Sequence, residues 1–549
     1  MNCRAVVGSL SVSLVLLGCG ATPDAGDEGS ALSSQSEALS LPASETIQNV
    51  KHVIVLMQEN HSFDNYFGAL AYAPGSPYHS AKRHHEDRDH DDDADGGCEP
   101  ADHRCVDGLA CKVAKDGSVS CENSNLDDDG STVHAFHDSR RCVSPDLDHS
   151  WQGTHQEVNF AHPNQALRDA PSDGFVRVND VTEQPDKGVE GATEDQTMSF
   201  YDQREIPFYY QLAQNFALSD RYFASVLGPT FPNRSYLLAA TSFGHLTTSD
   251  TFAPPGGYKP RTGTILDKLE AGGVSWADYF QDAPQGATFR AFSASAVDPH
   301  FFPLTLFLAQ AAGAPGVPAL PSVSFVDPNF GLFGIAGEND EHPPTDIQRG
   351  QHFVSQVLSA VRSGPYWRDS IVFVMYDEHG GFYDHVKPPR ARQGGRTPDG
   401  ISPGQCADLS NPPASLAPGG GAECASNPLS TTDTSVNDAI ALCPELAADP
   451  SGAFPHHCAS FDQLGVRVPF LAISPFSRPH YVSHTVGDHT SILAFIERAF
   501  LSSGGRTPHL TGRDERANAL VDLFDFEHSP SLNTPIGVAA PPAVDCTPL

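Results

Sequence analysis

Two pairs of oxygen-bearing side chains follow directly on apolar runs, in two distant parts of the chain. The pairs are Glu59-Asn60, after the run 53–57, and Asp377-Glu378, after the run 370–376. An isolated buried charge is costly, so carboxylates that end a buried strand need a partner. A hard divalent cation satisfies several carboxylate and amide oxygens at once, which makes these four residues candidate metal ligands. The competing interpretation is that they are exposed loop residues.

A candidate nucleophile lies in the segment GPTFPNRS (228–235). Two prolines restrict the backbone on either side of Thr230, and a helical pattern follows from Tyr236. A hydroxyl near a helix N-terminus lies where anions bind, and coordination to a metal would lower its pKa and make it a nucleophile. Arg234 could bind phosphate oxygens. Taken alone, the segment is more typical of a turn followed by a helix cap.

Two histidines are candidates for proton transfer. The chain has 25 histidines, so most of them have no catalytic role. His149 lies in DHSW (148–151) and His342 in NDEHPP (339–344), both beside acidic residues. Cleavage of a phosphoester needs a proton donor for the leaving oxygen, and histidine is the usual one. For each histidine, the alternative is an ordinary surface or packing role.

Strand and helix patterns alternate along the chain and would position these residues. The apolar, β-branched runs are 53–57, 370–376 and 466–474. The helical patterns are 205–216, 264–271, 346–362 and 490–501. This alternation predicts an α/β fold with a largely parallel sheet. Ligands of such sheets bind at the carboxyl ends of the strands, so we expect Glu59 and Asp377 at one edge.

Composition excludes several classes of protein. Lys plus Arg number 33 and Asp plus Glu number 68, which gives a formal charge of −35. Affinity for nucleic-acid phosphates comes from Lys and Arg, so no nucleic-acid partner is expected. The 47 glycines and 45 prolines exclude a long coiled coil, and they follow no strict glycine period that would indicate collagen. The length of 549 residues allows one large domain or several smaller ones.

The N-terminus is typical of an exported protein. Residues 1–18 combine Arg4 with an apolar run too short to span a bilayer, which predicts a signal peptide. Leu16-Leu17-Gly18-Cys19 resembles a lipobox, which predicts a lipoprotein held at the membrane by a lipid on Cys19. The alternative is an ordinary cleaved signal and a secreted protein. Residues 19–47 are then expected to be a disordered tether.

The cysteines point to the same compartment. There are twelve, and ten remain after Cys3 and Cys19. They cluster at 98–142 and 406–458, with Cys546 near the end, as expected of disulfide-stapled insertions in an oxidising compartment. Sequence does not give their pairing. The competing zinc site lacks any CxxC pair.

These observations predict one catalytic domain at 48–530, followed by a C-terminal tail at 531–549. Two insertions interrupt the domain, at about 79–147 and 391–460.

Four segments, in this order, resemble the bacterial phosphoesterase family, which includes phospholipases C and an acid phosphatase. They are ENHSFDNYFG (59–68), GPTFPNRS (228–235), DEHPP (340–344) and YDEHGGFYDHV (376–386). The segment SHTVGDHTSILAFIER (483–498) is similar to the family's C-terminal signature. The resemblance extends over about 48–500.

The resemblance implies an alkaline-phosphatase-like α/β fold, with a largely parallel central sheet flanked by helices. The two Cys-rich loop insertions indicated by composition would interrupt this fold. It also implies one divalent metal ion and a hydroxyl nucleophile. By match to the family's motifs, the metal ligands would be Glu59, Asn60, Thr230, Asp377 and Glu378. Thr230 would be the nucleophile, His149 the general acid and His342 a histidine near the phosphate, with Arg234 binding phosphate. Oxygen ligands suit Ca, Mg, Mn or Fe, and the choice among them stays open.

The expected function is therefore hydrolysis of a phosphoric ester. The leading expectation is a phospholipase C that cleaves a phospholipid to diacylglycerol and a phosphorylated head group. An acid phosphatase is the first alternative, because the same metal and hydroxyl serve monoesters. A non-catalytic secreted binding protein is the second, although the complete set of candidate residues argues against it.

Overall fold

The computed structural model describes residues 47–81, 97–141, 146–163, 170–179, 194–246, 248, 256–332, 337–391 and 461–539. The predicted signal peptide and Cys19 lie outside these residues, as do the tether up to residue 46 and the second Cys-rich insertion after Ala391. Within the described ranges, no helix is both long and apolar enough to cross a membrane.

Eight strands form the central sheet. They are β1 (His52–Gln58), β2 (Ala217–Ser219), β3 (Trp276–Phe280), β4 (Phe301–Pro303), β5 (Val323–Val326), β6 (Ser370–Tyr376), β7 (Phe470–Ile473) and β8 (Tyr481–Ser483). Their order is β4-β3-β5-β1-β6-β7-β2-β8. Strand β7 runs antiparallel to both neighbours, and the other five pairs are parallel. The predicted α/β fold with a largely parallel sheet is confirmed.

Strands β1 and β6 are the centre of the sheet and carry the candidate ligands at their ends. They pair in parallel over their full seven residues, from His52 opposite Ser370 to Gln58 opposite Tyr376. All of β6 is buried, as is β1 after its first residue. Burial on both faces explains why these sequences are continuous apolar runs rather than alternating ones.

Ten α-helices accompany the sheet within the part of the chain that the structure describes. They are α1 (Phe63–Phe67), α2 (Trp151–Val158), α3 (Phe175–Val178), α4 (Pro207–Asn215), α5 (Thr230–Ala239), α6 (Ile265–Ala271), α7 (Leu304–Ala311), α8 (Ile347–Ser363), α9 (His489–Ile496) and α10 (Gly512–Arg516). Helices α4, α7 and α8 pack together and against strands, as do α5, α6 and α9. The longest, α8, begins after Asp346, whose side chain accepts from Gln348 N, and its apolar stripe faces the core.

The first insertion is more regular than a loop. It contributes short ladders between 79–80 and 105–106, 111–113 and 119–121, 124–126 and 132–134, and 136–137 and 199–200. Disulfides join Cys98 to Cys105 and Cys111 to Cys121. The pairing is therefore local within the insertion, while Cys142 and the cysteines of the second insertion lie outside the described residues.

Candidate active site

The carboxyl ends of β1 and β6 bring the two predicted ligand pairs together. The Asn60 backbone N–H donates to Asp377 Oδ1 at 3.3 Å, and the Glu378 N–H donates to the same oxygen at 2.7 Å. All four side chains are buried: Glu59 is 7% exposed, and Asn60, Asp377 and Glu378 are 0%. The alternative of exposed loop residues is therefore wrong.

The two glycines after Glu378 make this close approach possible. Gly380 has a φ of +62°, and a Cβ there would lie 2.3 Å from the Asn60 carbonyl oxygen. Gly381 has a φ of +73°, and a Cβ there would lie 2.5 Å from Leu147 Cβ. Only glycine adopts such conformations without cost and leaves this space. The glycines thus seat Asn60 and the loop before His149 against the end of β6.

Thr230 is the first residue of α5, not a residue ahead of the helix as the sequence pattern indicated. Pro229 precedes it as the N-cap. The Asn233 side chain holds the turn, because its Nδ2 donates to the Gly228 carbonyl at 2.8 Å and its Oδ1 accepts from Val226 N at 3.0 Å. The Thr230 hydroxyl therefore lies at the electropositive end of a ten-residue helix.

Arg234, one turn further along α5, lies between the two ligand pairs. Its Nη2 is 2.9 Å from Glu59 Oε1, and its Nε is 3.3 Å from Asp377 Oδ2. Its guanidinium also lies over the Phe330 ring, 4.9 Å from the centroid. Its Nη1 is buried and has no hydrogen-bond partner among the described residues. That N–H group could donate to an anion, as the predicted phosphate-binding role requires.

Unsatisfied oxygens provide a test of whether these residues fit a metal ion. Asn60 Oδ1 and Glu378 Oε1 are both buried, and neither has a hydrogen-bond partner in the described part of the chain. Burial and the neighbouring Glu59 carboxylate raise the pKa of Asp377 to about 7. A hard cation would coordinate these buried oxygens and neutralise the negative charge of the carboxylates, so the residues fit such an ion.

The two candidate histidines face each other across Asp146. Their ring centroids are 5.8 Å apart. Asp146 Oδ1 lies 3.7 Å from His149 Nδ1 and 3.9 Å from His342 Nε2. His149 Nε2 is also 3.5 Å from Asn60 Nδ2, which ties this pair to the ligand cluster. Burial lowers the pKa of His342, but the carboxylates of Asp146, Glu59 and Asp340 outweigh it and raise that pKa to about 9.

A third histidine, His379, contacts the predicted ligand Glu378. His379 Nδ1 is 3.2 Å from Glu378 Oε2, and its Nε2 is 2.7 Å from Glu157 Oε2. Asn179 Nδ2 donates to the other oxygen of Glu157 at 3.0 Å. Partners of this kind fix the orientation of a ligating side chain.

These groups border a cavity of about 1210 Å³. The candidate residues in its lining are Glu59, His149, Thr230, Arg234 and His342. Much of the remaining wall is apolar and comes from residues 283–297, with Phe231, Leu238 and Phe330. The structure thus places all the predicted side chains in or beside one cavity, although their chemical roles stay predictions.

Sequence reasoning missed several residues of this site. Asp146 lies three residues before His149 but was assigned no role, and Glu157 lies in a stretch without a recognisable motif. Asn233 lies in the segment GPTFPNRS (228–235). The pair Pro232-Asn233 there is typical of a turn, and an asparagine side chain can close one. The apolar wall at 283–297 gave no signal, because its alanines and phenylalanines follow neither a helical nor a strand period.

The arrangement of a buried hydroxyl, an arginine and convergent oxygen donors at the carboxyl edge of an α/β sheet is that of a phosphoryl-transfer site. The chain belongs to the phosphoesterase family, whose sequence profile matches residues 50–501. It is a hydrolase that acts on phosphoric ester bonds. The predicted family membership and enzyme class are confirmed.

Named relatives include plant and mycobacterial proteins. Non-specific phospholipase C4 of Arabidopsis thaliana is 27% identical over 82% of this chain and 68% of its own. Phospholipase C B of Mycobacterium tuberculosis is 28% identical over 89% of this chain and 80% of its own. Among solved structures, murine ectonucleotide pyrophosphatase/phosphodiesterase 5 has a TM-score of 0.30 and 11% identity, covering 58% of this chain and 94% of that one.

Proposed function

We propose that this protein is a metal-dependent phospholipase C with Thr230 as its nucleophile. The observation that carries the proposal is the mixed lining of the cavity, which combines Thr230 and Arg234 with a long apolar wall. A phospholipid has both a phosphodiester, which would contact Thr230 and Arg234, and apolar chains, which would contact the apolar wall. The relatives named as phospholipases C support the same substrate class.

The chemistry at phosphorus would run in two steps. Thr230 Oγ1, its proton lost to water, attacks phosphorus; the bond to the glycerol oxygen breaks, and diacylglycerol departs with a proton from His149 or His342, which leaves the phosphorylated head group esterified to Thr230. Water then attacks that phosphorus, returns a proton to the histidine, and releases the phosphorylated head group and the deprotonated Thr230. Arg234 Nη1 would donate to a phosphoryl oxygen throughout, which stabilises the charge that develops there.

A divalent cation held by Glu59, Asn60, Asp377 and Glu378 would lower the pKa of the Thr230 hydroxyl and neutralise phosphoryl charge. The choice of Ca, Mg, Mn or Fe is left to experiment. His342 suits proton donation because its raised pKa keeps it protonated near neutral pH.

The apolar wall favours a lipid diester over a small monoester. Phe231, Phe292 and Phe330 offer rings to a chain in the cavity. Val297 and Leu332 also line it and remain 55% and 41% exposed. An apolar rim of this kind would let a lipid enter without crossing a polar surface, whereas a phosphomonoesterase has no use for it.

Export belongs to the same proposal. The two disulfides of the first insertion are typical of an oxidising compartment. Anchoring by a lipid on Cys19 remains a prediction, and labelling of expressed protein with a radioactive fatty acid, with Cys19→Ser as control, would test it.

The catalytic proposal is tested with two chromogenic esters and a phospholipid. The esters are p-nitrophenyl phosphate and p-nitrophenylphosphorylcholine, and the lipid is a short-chain phosphatidylcholine. Wild-type protein should cleave the diesters in preference to the monoester, and a chelator should abolish cleavage. Thr230→Ala should be inactive yet folded, whereas Thr230→Ser should retain activity because it keeps a hydroxyl. Acid quenching during turnover of a choline diester should trap phosphocholine on Thr230, detectable by mass spectrometry.

The other outcomes separate the alternatives. Preference for the monoester would identify a phosphatase. Substantial diester cleavage by Thr230→Ala would exclude the nucleophile. If a folded, metal-loaded protein cleaves none of the three substrates, the second alternative, a binding protein, would be favoured.

A further inference from the structure

One buried carboxylate outside the ligand set collects four hydrogen-bond donors. The Glu341 side chain accepts from the hydroxyls of Tyr66, Tyr209 and Tyr376, each at 2.5 Å, and from Gln58 Nε2 at 3.3 Å. Glu341 is 0% exposed. Four donors converging on two oxygens match an ionised carboxylate, which offers only acceptors.

The fold makes room for this carboxylate at some cost. Glu341 has a φ of +77°, a conformation unfavourable for a residue with a side chain. Gly350 of α8 lies against it, and a Cβ there would come within 2.1 Å of Glu341 Oε1. A strained backbone and a glycine that clears the space show that the surrounding structure is built around this group.

The donors connect the carboxylate to both ligand pairs. Gln58 immediately precedes Glu59-Asn60, and Tyr376 immediately precedes Asp377-Glu378. These two donors are the last paired residues of β1 and β6. Both strand ends are therefore fixed to one acceptor, directly before the residues proposed to bind metal.

Glu341 also lies within the loop that carries His342. The carbonyl of Asp340, on its other side, accepts from Glu59 N at 2.8 Å. The Glu341 carbonyl itself is 3.0 Å from His61 Nε2. The loop is thus held to the end of β1 by its backbone and by the Glu341 side chain.

We propose that Glu341 is a positioning residue, which sets the spacing of the two ligand pairs and the placement of His342. The inference rests on the proposed metal site and names a residue that supports it from outside the coordination sphere. Glu341 touches neither substrate nor metal in this scheme. Replacing one carboxylate oxygen by an amide group would leave tyrosine hydroxyls without an acceptor and loosen the Gln58 and Tyr376 side chains, directly before the two ligand pairs.

The test measures Mn²⁺ binding to the full chain by isothermal titration calorimetry, in parallel with urea unfolding. Glu341→Gln should weaken Mn²⁺ binding by about 10- to 100-fold, as loss of an outer partner of metal ligands does. Asp138→Asn is the matched control, since Asp138 is 4% exposed, pairs with Arg140 at 2.8 Å and lies outside both the cavity lining and the candidate ligand set. The control should keep wild-type affinity whatever its effect on unfolding.

A second pair of variants keeps the proposal testable if Glu341→Gln does not fold. Tyr376→Phe removes a donor that precedes a ligand pair, whereas Tyr209→Phe removes an equivalent donor from α4. The first should weaken Mn²⁺ binding more than the second. Equal affinities for these two variants, or wild-type affinity for Glu341→Gln, would overturn the positioning role. Absence of Mn²⁺ binding by wild-type protein would instead overturn the proposed metal site, and the inference with it.

Discussion

Replacing Arg234 by methionine should affect stability and catalysis in a way that depends on metal. Arg234 is 5% exposed and pairs with two buried carboxylates, Glu59 at 2.9 Å and Asp377 at 3.3 Å. Removing one member of a buried ion pair leaves an uncompensated charge and costs about 3–5 kcal/mol. We expect a loss of this size in the free energy of unfolding of metal-free protein. The loss should be smaller with metal, because a cation would neutralise the same carboxylates.

Catalysis should fall independently of stability. A charge-assisted hydrogen bond contributes about 1.5–3 kcal/mol, so loss of the Arg234 donor should lower kcat/KM by roughly 10- to 100-fold. Initial rates on p-nitrophenylphosphorylcholine would measure this, at temperatures where both proteins are fully folded.

The matched control is Arg513→Met. Arg513 is 3% exposed, its Nη2 is 2.7 Å from Asp488 Oδ2, and it does not line the cavity. This variant should lose stability equally with and without metal and keep its kcat/KM. Arg234→Met could instead lose the same free energy of unfolding with and without metal, or keep wild-type kcat/KM. Either result would contradict the proposal that Arg234 pairs with the metal-ligand carboxylates and also binds phosphate.

Three further predictions concern the turn, the sheet and the wall of the site. Gly380→Ala should destabilise the protein by about 2 kcal/mol or more in urea unfolding, because alanine is strained at positive φ and its Cβ would strike Asn60; wild-type stability would contradict this. Burial and the adjacent Asp327 raise the pKa of Asp278, and burial raises that of Asp327 to about 6. Folding therefore takes up protons, so stability should fall as pH rises from about 4 to 6, and Asp278→Asn should flatten that slope; an unchanged slope would argue against the pair. Phe292→Ala should lower kcat/KM roughly 10-fold for a long-chain phospholipid and leave p-nitrophenyl phosphate hydrolysis unchanged; equal losses on both would remove Phe292 from lipid binding.

Much of the site was predictable because it rests on short segments with clear local signals. Apolar runs 53–57 and 370–376 could only be buried strands, and each ends in adjacent polar residues. The carboxyl ends of parallel strands lie at one edge of the sheet, so the placement of Glu59 and Asp377 at that edge follows from the α/β pattern. That their two strands are neighbours is known only from the structure. The helix 346–362 was equally clear from its apolar stripe, and the structure has it at Ile347–Ser363.

The rest depends on contacts that no local pattern encodes. Glu341 meets Tyr66, 275 residues away in sequence, and Tyr209, 132 residues away. The role of Glu341 as a buried hydrogen-bond acceptor follows from these tyrosine contacts, whereas in the sequence it is one of several acids in an acidic loop. The strand expected over 466–474 is shorter, Phe470–Ile473, because Pro469 has no N–H to give to the ladder and the backbone of residues 466–468 bonds to segment 222–224 instead.

The apolar wall has a consequence for how such an enzyme changes over time. Residues 283–297 form one continuous excursion between β3 and β4, remote in the sheet from β6. The groups proposed to carry out the reaction come instead from α5, from the ends of β1 and β6, and from the loops that carry His149 and His342. Mutations in the excursion can therefore alter which ester is accepted while the reacting groups stay in place. Substrate range and reaction type therefore depend on different segments of the chain. Residues 283–297 can change during evolution while selection conserves the reacting groups.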